Sequence, residues 1–342
     1  MQIVVTILVT ILIFGIIINI HEAGHFFFAK LFGVRVNEFS FGMGPLLFQK
    51  VKGETEYSIR LFPIGGYVAM EGESEDSDDE RAFFRKPAWQ RFIILFAGAA
   101  MNILLGLGIL IGLVSGQELL GTTVIAGFDE GIAASQYLQS GDRITRINGY
   151  HISGYNDALF QLLRDEDGVI DFQVVRNGET TQVDQVPFEM ETYEDGSRAV
   201  KLGLTFYGVE KTPLSSLQYA AEWTVSIVKQ VWYSFMDILT GRYGLSELSG
   251  PVGTATVVSQ ASSLGLRSVM LLVAFLTINV GVFNLFPIPA LDGGRLLFVI
   301  IEMIRRRPVD PKYENYIHAA GMAMLLCLIV VVTFSDITKL LQ

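Results

Sequence analysis

The chain has 342 residues and a formal charge of −10, from 25 basic and 35 acidic side chains. With no basic tract to receive phosphates, this balance excludes nucleic acid as a partner. Only 18 % of the residues are charged, below the roughly 25 % of soluble domains. The single cysteine, Cys327, excludes a disulfide framework, a zinc ribbon and an iron–sulfur cluster, so His and carboxylates must hold any bound metal.

The missing charge is missing from four places. Met1–Ile20, Phe92–Gln117, Ser268–Leu291 and Asn315–Ser335 contain no Asp, Glu, Lys or Arg, each over the roughly 20 residues that cross a bilayer. They are apolar around the whole helical circumference, where a soluble core helix would keep a polar face. Four transmembrane helices are therefore expected, at about 2–28, 92–115, 268–291 and 316–336. The first lacks the basic n-region and small-residue cleavage site of a signal peptide and reads as a retained anchor. Lys30, Arg35, Arg81, Arg85, Lys86 and Arg91 follow span one, and Arg295, Arg305, Arg306, Arg307 and Lys312 separate spans three and four. The positive-inside rule then puts both termini outside, segments 30–91 and 295–314 in the cytoplasm and 118–267 on the far side.

Span one ends in His-Glu-Ala-Gly-His, residues 21–25. His21 and His25 are one helical turn apart on one face, the spacing with which two imidazoles share a tetrahedral metal ion. In H-E-x-x-H peptidases the intervening acid, here Glu22, is not a ligand; it handles the proton of the attacking water. A chance match is the alternative. Against it, ionisable groups at membrane depth cost on the order of 2.5–3.5 kcal/mol each even on lenient scales, and metal ligation compensates that. Gly24 between the histidines suits a close helix approach or ordinary packing.

Residues 35–70 alternate about a Lys52-Gly53 turn, the pattern of a β-hairpin, and Glu71–Glu80 packs seven acids into ten positions, which reads as a solvated cytoplasmic loop. From Gly121 to Thr205 the pattern is that of one small α/β domain. It has a strand at Thr122–Ala126, helical residues at Ala133–Leu138, the run Gly141-Asp142-Arg143-Ile144-Thr145-Arg146-Ile147-Asn148-Gly149, a helix near Asp157–Arg164, and two strands about Arg176-Asn177-Gly178. Thr212-Pro213 supplies an N-cap and first-turn proline for a helix to about Leu239. Its apolar stripe is Leu217, Ala221, Thr224, Val228, Val231, Phe235 and Ile238, and Glu222, Lys229 and Asp237 mark it as amphipathic rather than a fifth span. Span three closes on Asn284-Leu285-Phe286-Pro287-Ile288-Pro289-Ala290-Leu291-Asp292-Gly293-Gly294. The prolines must unwind it, and irregular backbone at membrane depth survives only when it lines protein or a water-filled cavity. Asp292 is the candidate third ligand; capping of the next helix is the other reading. His151 and His318 have no partners at metal spacing and read as ordinary histidines.

H-E-x-x-H in one span and N-x-x-P-x-P-x-x-D-G in another together resemble the site-2 protease family of intramembrane zinc metalloproteases, in its bacterial RseP/RasP-like branch. The resemblance implies Zn2+ held by His21, His25 and Asp292, with Glu22 as catalytic acid/base. It also implies substrate contacts from Asn284 and Pro287, and from Gly42 and Gly44 in Phe41-Gly42-Met43-Gly44-Pro45 of a membrane-reentrant β-hairpin. A surface hairpin is the plain alternative there. Ala97-Gly98-Ala99-Ala100-Met101-Asn102 is similar to the family's A-G-P-x-x-N, with Ala99 in place of proline. The 141–149 run resembles a circularly permuted PDZ domain, without the usual Ser-Pro before its first helix. Ser249-Gly250-Pro251-Val252-Gly253 matches a family turn.

The expected fold class is therefore membrane α-helical: four transmembrane helices, a reentrant β-hairpin and one inserted extracytoplasmic PDZ-like domain. Its parts are an N-terminal membrane part (1–117), the PDZ-like domain (118–210), amphipathic helices (211–266) and a C-terminal membrane part (267–342). The expected activity is cleavage of single-span proteins, such as anti-sigma factors or signal-peptide remnants, in the lipid bilayer of a bacterial inner membrane. A non-catalytic scaffold with a structural metal is the rival, and a metal transporter would need more polar residues along its spans.

Overall fold

A computed structural model describes residues 2–73, 77–192, 198–242, 244, 249–307, 309 and 311–340. Four of its helices are long and apolar enough to cross a membrane: α1 (Gln2–Leu31), α2 (Ala88–Ser115), and two later ones whose limits are Leu266–Asn284 and Pro311–Leu340. A helix satisfies its own backbone, which lipid cannot do. The chain divides into two units, one formed by residues 1–109 and 233–342, the other by 110–232.

In the first unit, α1 and α2 touch through small residues. A Cβ on Gly24 would lie 2.5 Å from the Ala97 carbonyl oxygen, so the bare Cα allows a helix contact that any side chain would prop open. With Ala99 in place of the family's proline, α2 runs unbroken through this contact.

Strands β1 (Val36–Lys52) and β2 (Thr55–Met70) form the expected hairpin around Gly53, which takes a positive φ. Both strands bend, so that Phe39 faces Val68 as well as Tyr57 and the first half of β1 pairs with both halves of β2. The bends fall at Gly42 and Gly44, whose φ of 85° suits glycine. Part of β2 lies on α1: a Cβ on Gly15 would be 3.3 Å from the Pro63 carbonyl, and one on Gly66 would be 3.2 Å from Asn19 Oδ1. The acidic run that follows is not merely solvated. Glu71 accepts from Asn37 and Ser77, Asp79 pairs with Arg35, and Glu73 pairs with Arg295; its residues 74–76 lie outside the described residues.

The second unit is built on an antiparallel sheet. Strands β3 (Leu119–Phe128), β4 (Arg143–Ile147), β5 (Tyr150–His151), β6 (Val169–Arg176), β7 (Glu179–Pro187) and the closing β10 (Leu204–Glu210) make it up, in the order β10-β3-β4-β6-β7 with β5 on β4. The short pair β8 (Met190–Thr192) and β9 (Arg198–Val200) stands apart. Helix α3 (Tyr155–Leu163) contributes buried Ala158 and Leu162 to a core with Ile144, Ile147, Ile170, Phe172 and Val174. The Asn177-Gly178 turn has two positive φ angles, as a two-residue hairpin demands. Ala133–Gln136 forms a 3-10 turn where a longer helix was expected.

Helix α4 (Pro213–Leu239) begins as expected, with Thr212 Oγ1 accepting the Ser215 N–H at 3.1 Å. Thr224 and Val231 of the expected stripe are buried together with Ser216, Ala220 and Ile227, while Leu217 at its start is 48 % exposed. Lys229 reaches Asp157 at 2.8 Å, the His151 carbonyl at 3.0 Å and Ser153 Oγ.

Back in the first unit, α5 (Pro251–Ser263) is capped by a side chain distant in sequence, the buried Asp336, whose Oδ2 accepts the Gly253 N–H at 2.8 Å. Helix α6 (Leu266–Asn284) stops seven residues before the end of its apolar stretch, because Pro287 and Pro289 cannot continue it. The turn delivers Asp292 as the first residue of α7 (Asp292–Arg305), and α8 is Pro311–Leu340.

Candidate metal centre

Two elements distant in sequence meet at one point. From α1, His21 and His25 project on one face with their Nε2 atoms 3.2 Å apart. From the start of α7, Asp292 Oδ2 lies 2.9 Å from His21 Nε2 and 3.1 Å from His25 Nε2. Ligands at about 2.0–2.1 Å around a tetrahedral Zn2+ stand roughly 3.3 Å from one another, and this triangle matches that face to within a few tenths of an ångström. Asp292 does not cap α7: that helix has no side-chain cap, and the carboxylate faces the histidines.

The far side of each ring decides its tautomer. His25 Nδ1 donates to the Ile94 carbonyl at 2.8 Å, which leaves a lone pair on Nε2. His21 Nδ1 lies 3.4 Å from the amide of Asn102, which is fully buried and whose Oδ1 has no partner among the described residues. Turning that amide over presents Oδ1 as an acceptor to His21 Nδ1–H. Two lone pairs and a carboxylate oxygen then converge on one point, a donor set that fits a zinc ion. Outer partners of this kind fix ligand rings in metal sites.

Room for the imidazoles comes from Gly98 of α2. A Cβ there would lie 2.4 Å from His25 Nε2 and 2.8 Å from His21 Cε1. The turn before Asp292 is equally tight, since a Cβ on Gly293 would fall 2.0 Å from the Phe286 carbonyl oxygen.

Glu22 is not part of the ligand cluster. It lines, with His25 and Asp292, a cavity of about 420 Å³ whose wall includes Tyr67 of β2 and the Glu73–Arg295 ion pair. A carboxylate beside the ligands, facing open space, can accept a proton from a water there and return it to a leaving amine.

The structure thus brings together His21, Glu22, His25 and Asp292. It does not bring the remaining candidates to the cavity wall. Asn284 donates to the Val280 carbonyl at 3.0 Å, Pro287 is exposed, and Gly42 and Gly44 sit at the hairpin bends. Sequence reasoning passed over four positions. Asn102 and Gly98 lay in a motif noted only for its resemblance, and Arg295 counted only as a topology charge. His318 lines the cavity, and its Nδ1 accepts the Ala290 N–H at 3.0 Å, so reading it as ordinary missed its place.

Peptidase family M50 matches residues 9–328. A relative from Fusobacterium nucleatum is 38 % identical over 342 residues, covering 98 % of this chain and 99 % of its own. The zinc metalloprotease RasP of Shouchella clausii is 32 % identical over 420 aligned positions, with 98 % and 99 % covered. The regulator of sigma-W protease RasP of Bacillus subtilis (strain 168) is 30 % identical over 422 positions, with the same coverage. A match over nearly the whole chain, together with apolar spans, makes this protein a member of peptidase family M50, the site-2 proteases, and a multi-pass intramembrane zinc metalloprotease.

Proposed function

We propose that the chain cleaves a peptide bond in or beside the transmembrane segment of another, single-span membrane protein, with His21, His25 and Asp292 as zinc ligands and Glu22 as acid/base. The observation that carries this is the convergence of three acceptor atoms on one point beside a free carboxylate, within an apolar bundle. Bound zinc supplies Lewis acidity at that point. The chain's own work is to hold the ligands, to move a proton at the Glu22 carboxylate, and to receive an extended substrate strand.

A helical substrate hides its amides and must unwind first. The second half of β2, with Tyr67, Val68 and Met70 on the cavity wall, supports reception of that strand by β-augmentation. Phe41, Met43, Leu47, Phe48, Leu61 and Phe62 are large apolar side chains exposed on the hairpin, which supports its immersion in lipid as a reentrant element. Asn284 and Pro287 head the loop whose other end reaches the cavity, which supports a contact with the entering backbone; Gly42 and Gly44 contribute by bending the hairpin. The name of the Bacillus subtilis relative, a regulator of sigma-W, supports an anti-sigma factor as one substrate, with signal-peptide remnants as another. The basic residues flanking the spans support a bacterial inner-membrane topology, with the active site near the cytoplasmic side and the PDZ-like domain, residues 118–210, outside.

The rival scaffold reading would need a closed structural site with four protein ligands, and three converge here among the described residues. The test uses the purified full chain with model single-span substrates. Glu22→Gln should abolish cleavage and keep zinc; equal cleavage by the variant and the wild type refutes the assignment.

A further inference from the structure

Helix α8 carries none of the ligands, yet it forms a seat for the loop that carries Asp292. His318 Nδ1 accepts the Ala290 N–H at 3.0 Å. Ala290 has a φ of 79°, in the left-handed region that L side chains rarely adopt, two residues before Asp292. Such a conformation persists only where its surroundings hold it. One turn further along α8, Gly321 lets the helix meet the loop: a Cβ there would lie 2.3 Å from Pro289 Cβ and 2.8 Å from the Pro289 carbonyl oxygen. The ring of His318 is wedged on its other sides by Phe298, at 6.0 Å between centroids, and by Gly294, where a Cβ would approach its Cε1 to 3.1 Å.

We propose that His318, with Gly321 beneath the same loop, is a positioning residue: it holds Ala290 in its left-handed turn and so sets the Asp292 carboxylate at the metal. The inference rests on the reading of Asp292 as a ligand. A lone acceptor at the Nδ1 position is what the loop requires. With Nδ1 accepting, Nε2 carries the hydrogen, and it is buried without a partner among the described residues, so the ring is needed here as an acceptor, not as a charge.

The test measures zinc affinity by chelator competition, and the visible spectrum of the cobalt-substituted full chain in detergent. His318→Ala should weaken zinc by about 10- to 100-fold, the usual cost of losing an outer partner, and shift the cobalt bands. His318→Asn places Oδ1 where Nδ1 stood and should restore both readings to within a few-fold of wild type. His318→Gln, whose polar atoms sit one bond further out, should behave like the alanine variant. Gly321→Ala should weaken zinc with His318 intact. Asp292→Ala is the control for the ligand reading and should lose the metal. If it does while His318→Ala keeps wild-type affinity and spectrum, the positioning role is overturned. Equal damage from Asn, Gln and Ala overturns it also, since the ring would then act only by bulk. Wild-type zinc affinity in Asp292→Ala overturns the ligand assignment and this inference with it.

Discussion

Gly98→Ala adds one methyl group where the structure has no space for it. The new Cβ would lie 2.4 Å from His25 Nε2, 2.7 Å from His25 Cε1 and 2.8 Å from His21 Cε1, against contacts of about 3.5 Å or more between unstrained atoms. Something must yield by about 1 Å. The helices cannot separate freely, because α1 and α2 are already in contact at Gly24 and Ala97, so the imidazoles move. Ligand distances tolerate about 0.2 Å, and the displacement is several times that. We expect zinc affinity to fall on the order of 100-fold, or about 2.7 kcal/mol. The sign separates this from general destabilisation, since alanine is the better helix former by about 1 kcal/mol and α2 itself should not weaken. Chelator competition on the purified chain gives the affinity, and circular dichroism checks the helices. Wild-type zinc affinity in Gly98→Ala would show that the rings do not occupy the positions described.

The second unit offers two further tests. Asp142 is almost fully buried, and burial alone would raise its carboxyl; Arg176, bonded at 2.7 and 2.8 Å, and the Gln139 N–H instead hold it below the usual carboxylate range. A depressed folded value means a contribution present above the unfolded value of about 3.9 and lost as pH falls through the folded one. The protection of β6 amides, measured relative to their intrinsic exchange rate at each pH, should therefore fall under acid in the wild type. In Arg176→Leu it should already be low at neutral pH, by about 3 kcal/mol of lost protection; unchanged protection there refutes the pairing. Lys229→Met strips the fully buried Asp157 of its charged partner and should raise exchange around α3. Adding Asp157→Leu should recover part of the loss, because no unpaired charge is left behind; no recovery would place the effect elsewhere.

What the sequence made legible follows physical range. The four spans and the H-E-x-x-H face are local: an uncharged stretch of helical length and a one-turn spacing need no knowledge of tertiary contacts. Asp292 could be singled out because prolines at 287 and 289 and an acid beside a span are each anomalous for lipid. The apolar stripe of α4 holds at Thr224 and Val231 but not at Leu217, and no helical pattern shows that Lys229 finds partners some 70 residues away in Ser153 and Asp157. The acidic run was judged by composition, which cannot show that Glu73 finds Arg295. Asn102, Gly98 and His318 act through distances to residues in other helices, and a histidine without a spaced partner gives no sign that it seats a loop.

A metal site in a bilayer meets a conflict that a soluble site does not. Its ligands must be desolvated enough to be held rigidly, yet the reaction consumes water. In this protein the two requirements are met on different sides of the same histidines. Their Nδ1 atoms face Ile94 and Asn102 in a dry contact with α2, where glycine at 98 lets helix backbone and ring approach. Their Nε2 atoms face Asp292 at the wall of the cavity, which is bounded by groups able to hold water, Glu22, Tyr67, Glu73 and Arg295. Of these, Tyr67 comes from β2 and Glu73 from the acidic run, while Glu22 and Arg295 stand on α1 and α7. On the proposed reading, non-helical segments bring Tyr67 and Glu73 to the cavity and packed helices hold the candidate ligands still. It follows that substitutions on the α2 side should act on metal affinity, and substitutions on the β2 side on turnover with the metal retained.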